Sequence, residues 1–267
     1  MKLLVTVLTL VLFLCNAHYA VAGNNLNIAA SKLESAISNH LKGMGRDIKS
    51  VAQETEKLGA SQESEIRKLL LGLCSNRPYV VDATFIDSVG LMKIIEPEQY
   101  KWYEGSDISK QAAIILMQKS KKPRMGKLFD SVEGIKSVDV EYPVFSVNKK
   151  FSGSISLLVR QDKFVRSVAA PVEKDLNVKC WVMQKDGIIL YETDPTQIGL
   201  DLFNDPLYKD YPELLSLGKR MVKEKNGTGH YTFLIHGTDM VIKKEAAWKT
   251  IHFLNNDWII VAYGEMK

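Results

Sequence analysis

The side chains of this chain best suited to ligand chemistry lie in one polar and aromatic stretch, residues 99–111. Tyr100, Trp102 and Tyr103 supply aromatic rings, and Asp107 follows them with a carboxylate. Aromatic rings form apolar walls and attract cations, while a charged group fixes the orientation of a small polar ligand. The stretch is interpreted either as the border of a binding pocket or as a half-exposed loop whose rings belong to the core.

Catalytic and metal-binding patterns are scarce in the rest of the sequence. It contains no Gly-x-Ser-x-Gly elbow and no glycine-rich loop of the kind that binds phosphate. The histidines are not spaced as metal ligands, and a group of aspartates lies among prolines and glycines, as in a loop. These residues are His40, His230, His236 and His252, and Asp194, Asp201 and Asp205. The sequence therefore predicts a protein that is not an enzyme and that holds no metal or cofactor.

The N-terminus is typical of a secretory signal peptide. Lys2 is followed by the apolar run Leu3–Leu14 and, further on, by the small residues Ala20–Ala22. This layout predicts cleavage after Ala22, so that residues 1–22 are removed. The apolar run is shorter than the ~20 residues that cross a bilayer. We therefore expect a stand-alone protein that is periplasmic or secreted.

The net charge bears on nucleic-acid binding, and the cysteine content bears on disulfide formation. The chain has 35 Lys and Arg residues against 31 Asp and Glu residues, a net charge of +4, and the two signs are interspersed. Such a distribution gives little support for nucleic-acid binding. Beyond the predicted signal peptide only Cys74 and Cys180 remain. In an oxidising compartment they could form a disulfide, and the alternative is a pair of buried free thiols.

One long helix comes first among the elements that position these residues. From Leu26 to Leu58 the apolar residues recur mostly at steps of three and four, the period of an amphipathic helix. Gly59 ends this helix, and Ser61 caps a second one. The apolar positions are Leu33, Ile37, Leu41, Met44, Ile48, Val51 and Leu58. We therefore assign residues 23–75 to N-terminal helices.

Two later stretches resemble copies of one hairpin. Residues 79–97 and 176–195 each contain an apolar strand, a break that ends in Gly90 or Gly187, and a second apolar strand. Such self-similarity indicates two modules in tandem. Each module has the pattern of two strands, a helix and two further strands, which predicts an antiparallel sheet with flanking helices.

The predicted fold class is α+β: the long helix, a first module of residues 76–165 and a second module of residues 166–267. In the strand near 135–145, Asp139 and Glu141 alternate with apolar residues, which indicates a half-buried strand with the carboxylates on its open face. Four large aromatic residues of the second module are expected in its core rather than against a ligand. They are Trp181, Tyr231, Trp248 and Trp258.

The order of these elements resembles the extracytoplasmic double Cache domain, in which a long N-terminal helix precedes two PAS-like modules. The resemblance covers about residues 26–264 and rests on the order and spacing of short motifs. The matching residues are Gly105–Ser109, Tyr142–Val144, Phe151–Gly153, Gly187–Leu190, Gly199, Gly229–Tyr231, Trp248 and Asp257–Val261. Double Cache domains form the extracellular part of many chemoreceptors and sensor histidine kinases. The resemblance therefore implies a membrane-distal-type first module and a membrane-proximal-type second module.

The resemblance also implies where a ligand binds. In double Cache sensors the region of Tyr100 and Asp107 borders the pocket of the membrane-distal module. One subfamily binds amino acids through an arginine two positions before Trp-Tyr and through later aspartates. Here Tyr100 stands at the arginine position, Asp130 matches one aspartate, and the closing aspartate is missing, so the ligand is left as a carboxylate, an amine or another small metabolite. The candidate ligand-binding residues are Tyr100, Trp102, Tyr103, Asp107, Asp130 and Tyr142.

The sequence thus predicts a sensory protein that acts by binding a small organic ligand. A separate partner, a membrane receptor or a sensor kinase, would then carry the signal onward. The alternative is a structural or interaction protein without a ligand, whose long N-terminal helix mediates homodimerisation or docking.

Overall fold

The structure of the protein is a computed structural model. It describes residues 2–59, 61–235 and 237–266, with their side chains from Asn25 onward. The predicted signal peptide, residues 1–22, lies outside the residues whose side chains are described. Within the described part of the chain, no helix is both long enough and apolar enough to cross a membrane.

The first element is helix α1, Lys2–Leu58. Its described apolar residues at steps of three and four are buried, as the sequence predicted, and they include Leu33, Ile37, Leu41, Met44 and Ile48. Gly59 follows the helix with a φ of 78°, and its N–H donates to the carbonyl of Thr55. A glycine at this position ends the helix because it adopts the left-handed conformation at no steric cost.

The chain divides into two compact units, each with its own sheet. One unit, here called the N-module, contains residues 37–167 and 252–257. The other, here called the C-module, contains residues 168–251 and 258–267 together with the part of α1 up to Ala36. Helix α1 therefore contributes residues to both units.

The N-module is built on a six-stranded sheet with helices α2 and α3 and one 3₁₀ helix. Their bounds are α2 Glu63–Cys74, β1 Val80–Asp87, β2 Met92–Glu96, 3₁₀ Glu98–Tyr103, α3 Ala112–Ser120, β3 Arg124–Met125, β4 Phe129–Asp130, β5 Lys136–Phe145 and β6 Phe151–Val159. The strand order is β2-β1-β6-β5-β3, and β4 also pairs with β5. All of these pairings are antiparallel, as the sequence predicted.

The prediction for strand β5 was wrong in one respect, because Asp139 and Glu141 do not lie on an open face. Both carboxylates are buried. Arg124 of β3 donates from Nη1 to Asp139 Oδ2 at 3.0 Å and to Glu141 Oε2 at 3.2 Å. Ser154 of β6 donates to Glu141 Oε1 at 2.5 Å. The alternation identified the two faces of the strand, but it could not show that both faces are covered.

The C-module is built on a five-stranded sheet with strand order β8-β7-β11-β10-β9. The bounds are α4 Gln161–Leu176, β7 Lys179–Gln184, β8 Ile189–Tyr191, 3₁₀ Pro195–Gln197, 3₁₀ Pro206–Tyr208, α5 Pro212–Lys223, β9 Asn226–Leu234, β10 Val241–Phe253 and β11 Asn256–Glu265. Residues 161–167 of α4 and the turn 252–257 between β10 and β11 belong to the N-module. Trp181, Tyr231, Trp248 and Trp258 are all buried, as the sequence predicted. Trp181 and Tyr231 also line a cavity, so their burial does not exclude contact with a ligand.

The hairpins β1–β2 and β7–β8 share one hydrogen-bond pattern. Gly90 and Gly187 both have a φ of 96°, which favours glycine. The segment after each hairpin returns to it: Ile108 donates its N–H to the carbonyl of Gly90 at 2.9 Å, and Leu202 donates to that of Gly187 at 2.9 Å. Equivalent positions are therefore offset by 97 residues in the hairpins and by 94 residues in the returning segments.

Cys74 and Cys180 are free thiols in this structure. Cys74 is half-buried in the N-module, and its Sγ lies 3.4 Å from the carbonyl oxygen of Glu96. Cys180 is buried in the C-module. Burial raises the pKa of both thiols, so that neither is a reactive thiolate near neutral pH.

Candidate functional site

The C-module contains a cavity of about 350 Å³ that is open to solvent on one side. Tyr231 and Phe233 of β9 both line it, because alternate residues of a strand point to the same face of the sheet. Further rings come from Trp181 of β7, Tyr263 of β11 and Tyr208 of the 3₁₀ helix Pro206–Tyr208. Five aromatic rings therefore contribute to the walls of this cavity, beside aliphatic and polar side chains.

Glu192, the residue after β8, presents a carboxylate to the cavity. Its Oε1 accepts hydrogen bonds from the N–H and the Oγ1 of Thr193, both at 2.7 Å, and from the Tyr263 hydroxyl at 3.4 Å. Burial raises the pKa of Glu192, and the Thr193 hydrogen bonds and the charge of Lys244 act against that rise. Glu192 is thus a half-buried carboxylate whose hydrogen bonds within the protein all go to Oε1.

Lys244 of β10 brings the opposite charge to the same cavity. Its Nζ donates to the carbonyl oxygen of Leu234 at 2.7 Å. The ammonium also faces two rings, at 5.4 Å from the centroid of Phe233 and 5.0 Å from that of Tyr263. Burial lowers the pKa of Lys244, and the nearby charge of Glu192 opposes the shift. The two charges influence each other without forming an ion pair within 4 Å.

Further charged groups lie around the cavity. Lys179 and Glu265 pair with each other at 3.6 Å. Asp194 accepts a hydrogen bond from the N–H of Thr196 at 3.0 Å and so caps the 3₁₀ helix Pro195–Gln197. Asp239, in the loop between β9 and β10, also lines the cavity. With Glu192 and Lys244 this makes four carboxylates and two lysines, so the cavity favours positive charge.

The buried tyrosines of the cavity stay neutral. Burial raises the pKa of Tyr208, Tyr231 and Tyr263, and the Glu192 carboxylate raises all three further. The indole N–H of Trp181 donates to the Tyr231 hydroxyl. The phenols therefore contribute uncharged hydroxyls and ring faces rather than phenolates.

The N-module has a much smaller cavity, of about 40 Å³, at the equivalent place. Thr84 and Ile108 line the small cavity, and their equivalents in the repeated pattern, Trp181 and Leu202, line the large one. The two cavities therefore lie on the same face of the two related hairpins.

Buried carboxylates dominate the small cavity. Asp82 is 3% exposed, and its Oδ1 accepts from Thr84 Oγ1 at 2.8 Å. Its Oδ2 has no hydrogen-bond partner within the described residues. Burial raises the pKa of Asp82 well above its usual range, and the charge of Glu133 adds to this. Nearby, burial and the charge of Asp139 raise the pKa of Glu141 to about 7, against the influence of Ser154 and Arg124.

Half of the residues predicted from the resemblance lie together on the 3₁₀ helix Glu98–Tyr103. Tyr100 and Tyr103 pack against the core cluster of the N-module. Trp102 is 80% exposed, with its ring centroid 5.1 Å from that of Tyr103. This part of the stretch therefore combines core aromatics with one solvent-exposed indole.

The other predicted residues lie apart from that helix. Asp107 is exposed, and hydrogen bonds from Ser109 lower the pKa of its carboxyl group. Asp130 pairs with Lys136 at 3.0 Å. Tyr142 is half-buried, and burial raises the pKa of its hydroxyl. None of the six predicted residues lines either of the two cavities, and their role in ligand binding stays a prediction.

The sequence interpretation missed Glu192 and Lys244. The signal for Lys244 was its place in β10, where it falls in the inward-facing alternation between Ile242 and Ala246. A lysine at such a position must bury its charge or find partners for it. Glu192 gave a weaker signal, since a glutamate directly after a short strand is usually exposed.

Within the described part of the chain, no group of three His, Cys, Asp or Glu side chains is arranged to hold a metal ion. His252 Nδ1 lies 2.6 Å from Asp257 Oδ1, which accounts for that histidine by a local pair. His236 lies outside the described residues.

One family model matches part of the chain. Residues 39–161 match the family described as HK/GC/Chemotaxis protein-like, sensor domain. The matched segment is somewhat less than half of the chain and contains the whole sheet of the N-module. The chain has no match among curated proteins.

Solved structures of extracellular sensor domains have a similar fold. The extracellular ligand binding receptor from Desulfohalobium retbaense DSM5692 is 23% identical with a TM-score of 0.71, over 90% of this chain but only 39% of that receptor. The ligand-binding domain of the Pseudomonas aeruginosa PAO1 amino acid chemoreceptor PctC, in complex with GABA, is 13% identical with a TM-score of 0.65, over 90% and 98% of the two chains. The ligand-binding domain of the Pseudomonas fluorescens chemoreceptor CtaA, in complex with L-isoleucine, is 14% identical with a TM-score of 0.66, over 94% of each. The chain therefore has the fold of extracellular ligand-binding sensor domains.

Proposed function

We propose that this protein is an exported sensory domain that binds a small organic ligand in the cavity of the C-module. The observation that carries the proposal is the cavity itself. Its volume of about 350 Å³ falls in the range of roughly 300–1,000 Å³ typical of small-molecule sites. Its aromatic walls and its converging charged groups, Glu192 and Lys244, are the composition expected of a site that orients a small polar molecule.

The similar structures support binding rather than catalysis. Two of them hold GABA and L-isoleucine, which are small and carry charged groups. A ligand of this size suits a cavity at the lower end of the usual range. The receptor and chemoreceptor neighbours also support a location outside the cytoplasm, in agreement with the signal peptide predicted for residues 1–22.

The proposed mechanism is a shift between conformations driven by binding. A ligand changes such an equilibrium only when it binds one arrangement better than the other. We assign this role to a more closed arrangement of the C-module around its cavity. A membrane receptor or a sensor kinase would detect the change. The hydrogen-bond pattern shared by the hairpins of Gly90 and Gly187 supports two tandem PAS-like modules.

The N-module contributes differently in this proposal. Its cavity of about 40 Å³ holds little more than one water molecule or one ammonium group. A ligand near Tyr100, Trp102 and Asp107 would bind outside that cavity, on the surface of the module. This small volume is also the observation that favours the alternative function, an interaction protein without a ligand that docks through α1.

A thermal-shift screen tests the proposal. The purified protein is heated with amino acids, organic acids, amines, purines and sugars. A ligand at a hundred times its dissociation constant stabilises a protein by about 2.7 kcal/mol, which should raise the melting temperature by roughly 5 °C or more. We expect at least one such hit. A screen in which no compound raises the melting temperature would favour the interaction protein.

Two variants then locate the site. Glu192→Gln alters the C-module cavity, and Trp102→Ala alters the exposed stretch predicted from the resemblance. We expect the shift to be reduced by Glu192→Gln and kept by Trp102→Ala. The reverse result would place the ligand at the residues around Trp102 and would contradict the C-module site.

A further inference from the structure

We propose that the ligand of the C-module cavity is a small primary amine, bound in its cationic form by the carboxylate of Glu192. This inference rests on the proposed function, since it names the ligand class of the same cavity. It is carried by three observations on that cavity: an incompletely bonded carboxylate, aromatic faces that already hold one ammonium group, and an excess of negative charge.

The first observation is the state of the Glu192 carboxylate. Oε1 accepts the bonds from Thr193 and Tyr263, whereas no described residue donates a hydrogen bond to Oε2. Glu192 is half-buried and lines the cavity, so its second oxygen is available to a cation or a hydrogen-bond donor of a ligand. Lys244 does not lie within 4 Å and so does not supply that contact. A ligand ammonium at Oε2 would do so with a charge-assisted hydrogen bond.

The second observation is the aromatic environment of the Lys244 ammonium group, which also lines the cavity. Lys244 lies over the faces of Phe233 and Tyr263, at 5.4 and 5.0 Å from their centroids. Ring faces attract cations in this geometry, and the attraction grows when water is excluded. Tyr231 and Trp181 line the same cavity and are not occupied by Lys244. They add two further aromatic rings to the walls that a ligand would contact.

The third observation is the balance of charge, which distinguishes an amine from an amino acid or an acid. Glu192, Asp194, Asp239 and Glu265 line the cavity against two lysines, and Lys179 is paired with Glu265. The remaining lysine, Lys244, is already held by a carbonyl oxygen and two rings. A ligand carboxylate would therefore face more negative than positive groups. An amine without a carboxylate avoids this repulsion.

The experiment compares ligands that share one apolar side chain and carry an amino group, a carboxylate or both. The first set is 3-methylbutylamine, L-leucine and 4-methylpentanoate, and the second is 2-phenylethylamine, L-phenylalanine and 3-phenylpropanoate. Each compound is titrated into the purified protein by calorimetry at pH 7.5 and constant ionic strength, followed by straight-chain primary amines of three to eight carbons. We expect the amine to bind at least tenfold more tightly than the amino acid or the acid of its set.

Two matched variants test the role of Glu192. Glu192→Gln keeps an oxygen acceptor and the shape of the side chain but removes its charge, and it should weaken amine binding at least tenfold. Glu213→Gln removes one negative charge from the exposed start of α5 in the same module, and it should leave the affinity within twofold. The melting temperature of each variant without ligand confirms that it folds. Equal losses in both variants would overturn the assignment of Glu192.

The outcomes separate this inference from the proposed function. If an acid or a neutral compound binds the cavity best, or if amines bind equally well to Glu192→Gln, the amine assignment is wrong while small-molecule binding stands. If no compound of the wider screen binds, both are wrong.

Discussion

The N-module and the C-module build their first hairpin in the same way and then use the same face of the sheet for different purposes. In the N-module that face carries charged and hydroxyl groups that mostly bond to one another, as Arg124 does with Asp139 and Glu141. In the C-module it carries aromatic rings around a cavity of about 350 Å³, with Glu192 and Lys244 left unpaired with each other. An unpartnered polar atom does not by itself indicate a ligand site, since Asp82 Oδ2 of the N-module also has no hydrogen-bond partner within the described residues. The two modules differ in the volume beside their polar groups, about 40 Å³ against about 350 Å³.

The equivalent positions show how the difference arises. Thr84 of the N-module corresponds to Trp181 of the C-module, and Ile108 corresponds to Leu202. The paired positions thus differ most in size at Thr84 and Trp181, and the cavities beside them measure about 40 and about 350 Å³. The following predictions test this comparison, from the largest expected effect to the smallest.

The largest effect is expected from removing the cation of each module. Arg124→Met leaves two buried carboxylates without their shared partner and should lower the free energy of unfolding by about 3–5 kcal/mol. Lys244→Met removes a charge that has no carboxylate partner within 4 Å, and should cost only about 1–2 kcal/mol through its lost bond to Leu234. Urea unfolding measures both. Equal losses of unfolding free energy in the two variants would contradict the distinction between Arg124, which is paired with carboxylates, and Lys244, which is not.

The next effect is a pH dependence of the free energy of unfolding, caused by a carboxylate of the N-module. The pKa of Glu141 is raised to about 7 in the folded protein, above the usual 4.5, so the folded protein holds a proton that the unfolded chain releases. The stability from this proton is fully present below pH 4.5 and is lost as the pH rises through about 7. Glu141→Gln should therefore match the wild type near pH 5 and exceed it by up to about 3 kcal/mol at pH 8. A constant difference between these pH values, measured by urea unfolding, would show that Glu141 does not titrate there.

A smaller effect separates the two hairpin glycines. Both have a φ of 96°, so alanine costs roughly 1–2 kcal/mol at either position. At Gly90 the added Cβ would lie 2.6 Å from the backbone Cα of Ser109, whereas at Gly187 it would lie 2.5 Å from the movable ring of Phe203. Gly90→Ala should therefore be the more destabilising by about 1 kcal/mol, as measured by thermal unfolding. A larger loss at Gly187 would mean that the Phe203 ring is as rigid as backbone.

The smallest effect is expected at Trp102. Because this side chain is 80% exposed, Trp102→Ala should change the free energy of unfolding by less than about 0.5 kcal/mol. A matched change at Trp181, which is buried in the C-module, should cost several times more. Thermal unfolding of the two variants checks this. A large loss at Trp102 would indicate a contact that its exposure does not reveal.

Local periodicity accounts for what could be predicted of the fold. The apolar steps between Leu26 and Leu58 were sufficient for α1, because a helix repeats its faces at a fixed interval. Gly90 and Gly187 marked the hairpin turns, because both require a positive φ. The antiparallel sheets followed from the short spacing of the strands.

The candidate site could not be predicted in the same way, because it depends on contacts between distant residues. Asp139 and Glu141 were assigned to an open face, and only the position of Arg124 across the sheet shows why they are buried. Trp181 was correctly placed among the buried residues, but burial does not distinguish a packed core from the wall of a cavity. The volume left between side chains is a property of the assembled module, which no single sequence pattern records.

The central claim, that a ligand binds in the C-module and not in the N-module, is tested most directly by one calorimetric comparison. The tightest ligand from the screen is titrated into the wild type, Glu192→Gln and Asp82→Asn, which alter the carboxylates of the large and the small cavity. We predict an affinity at least tenfold weaker for Glu192→Gln and an unchanged affinity for Asp82→Asn. A loss confined to Asp82→Asn would contradict the account and place the ligand in the N-module.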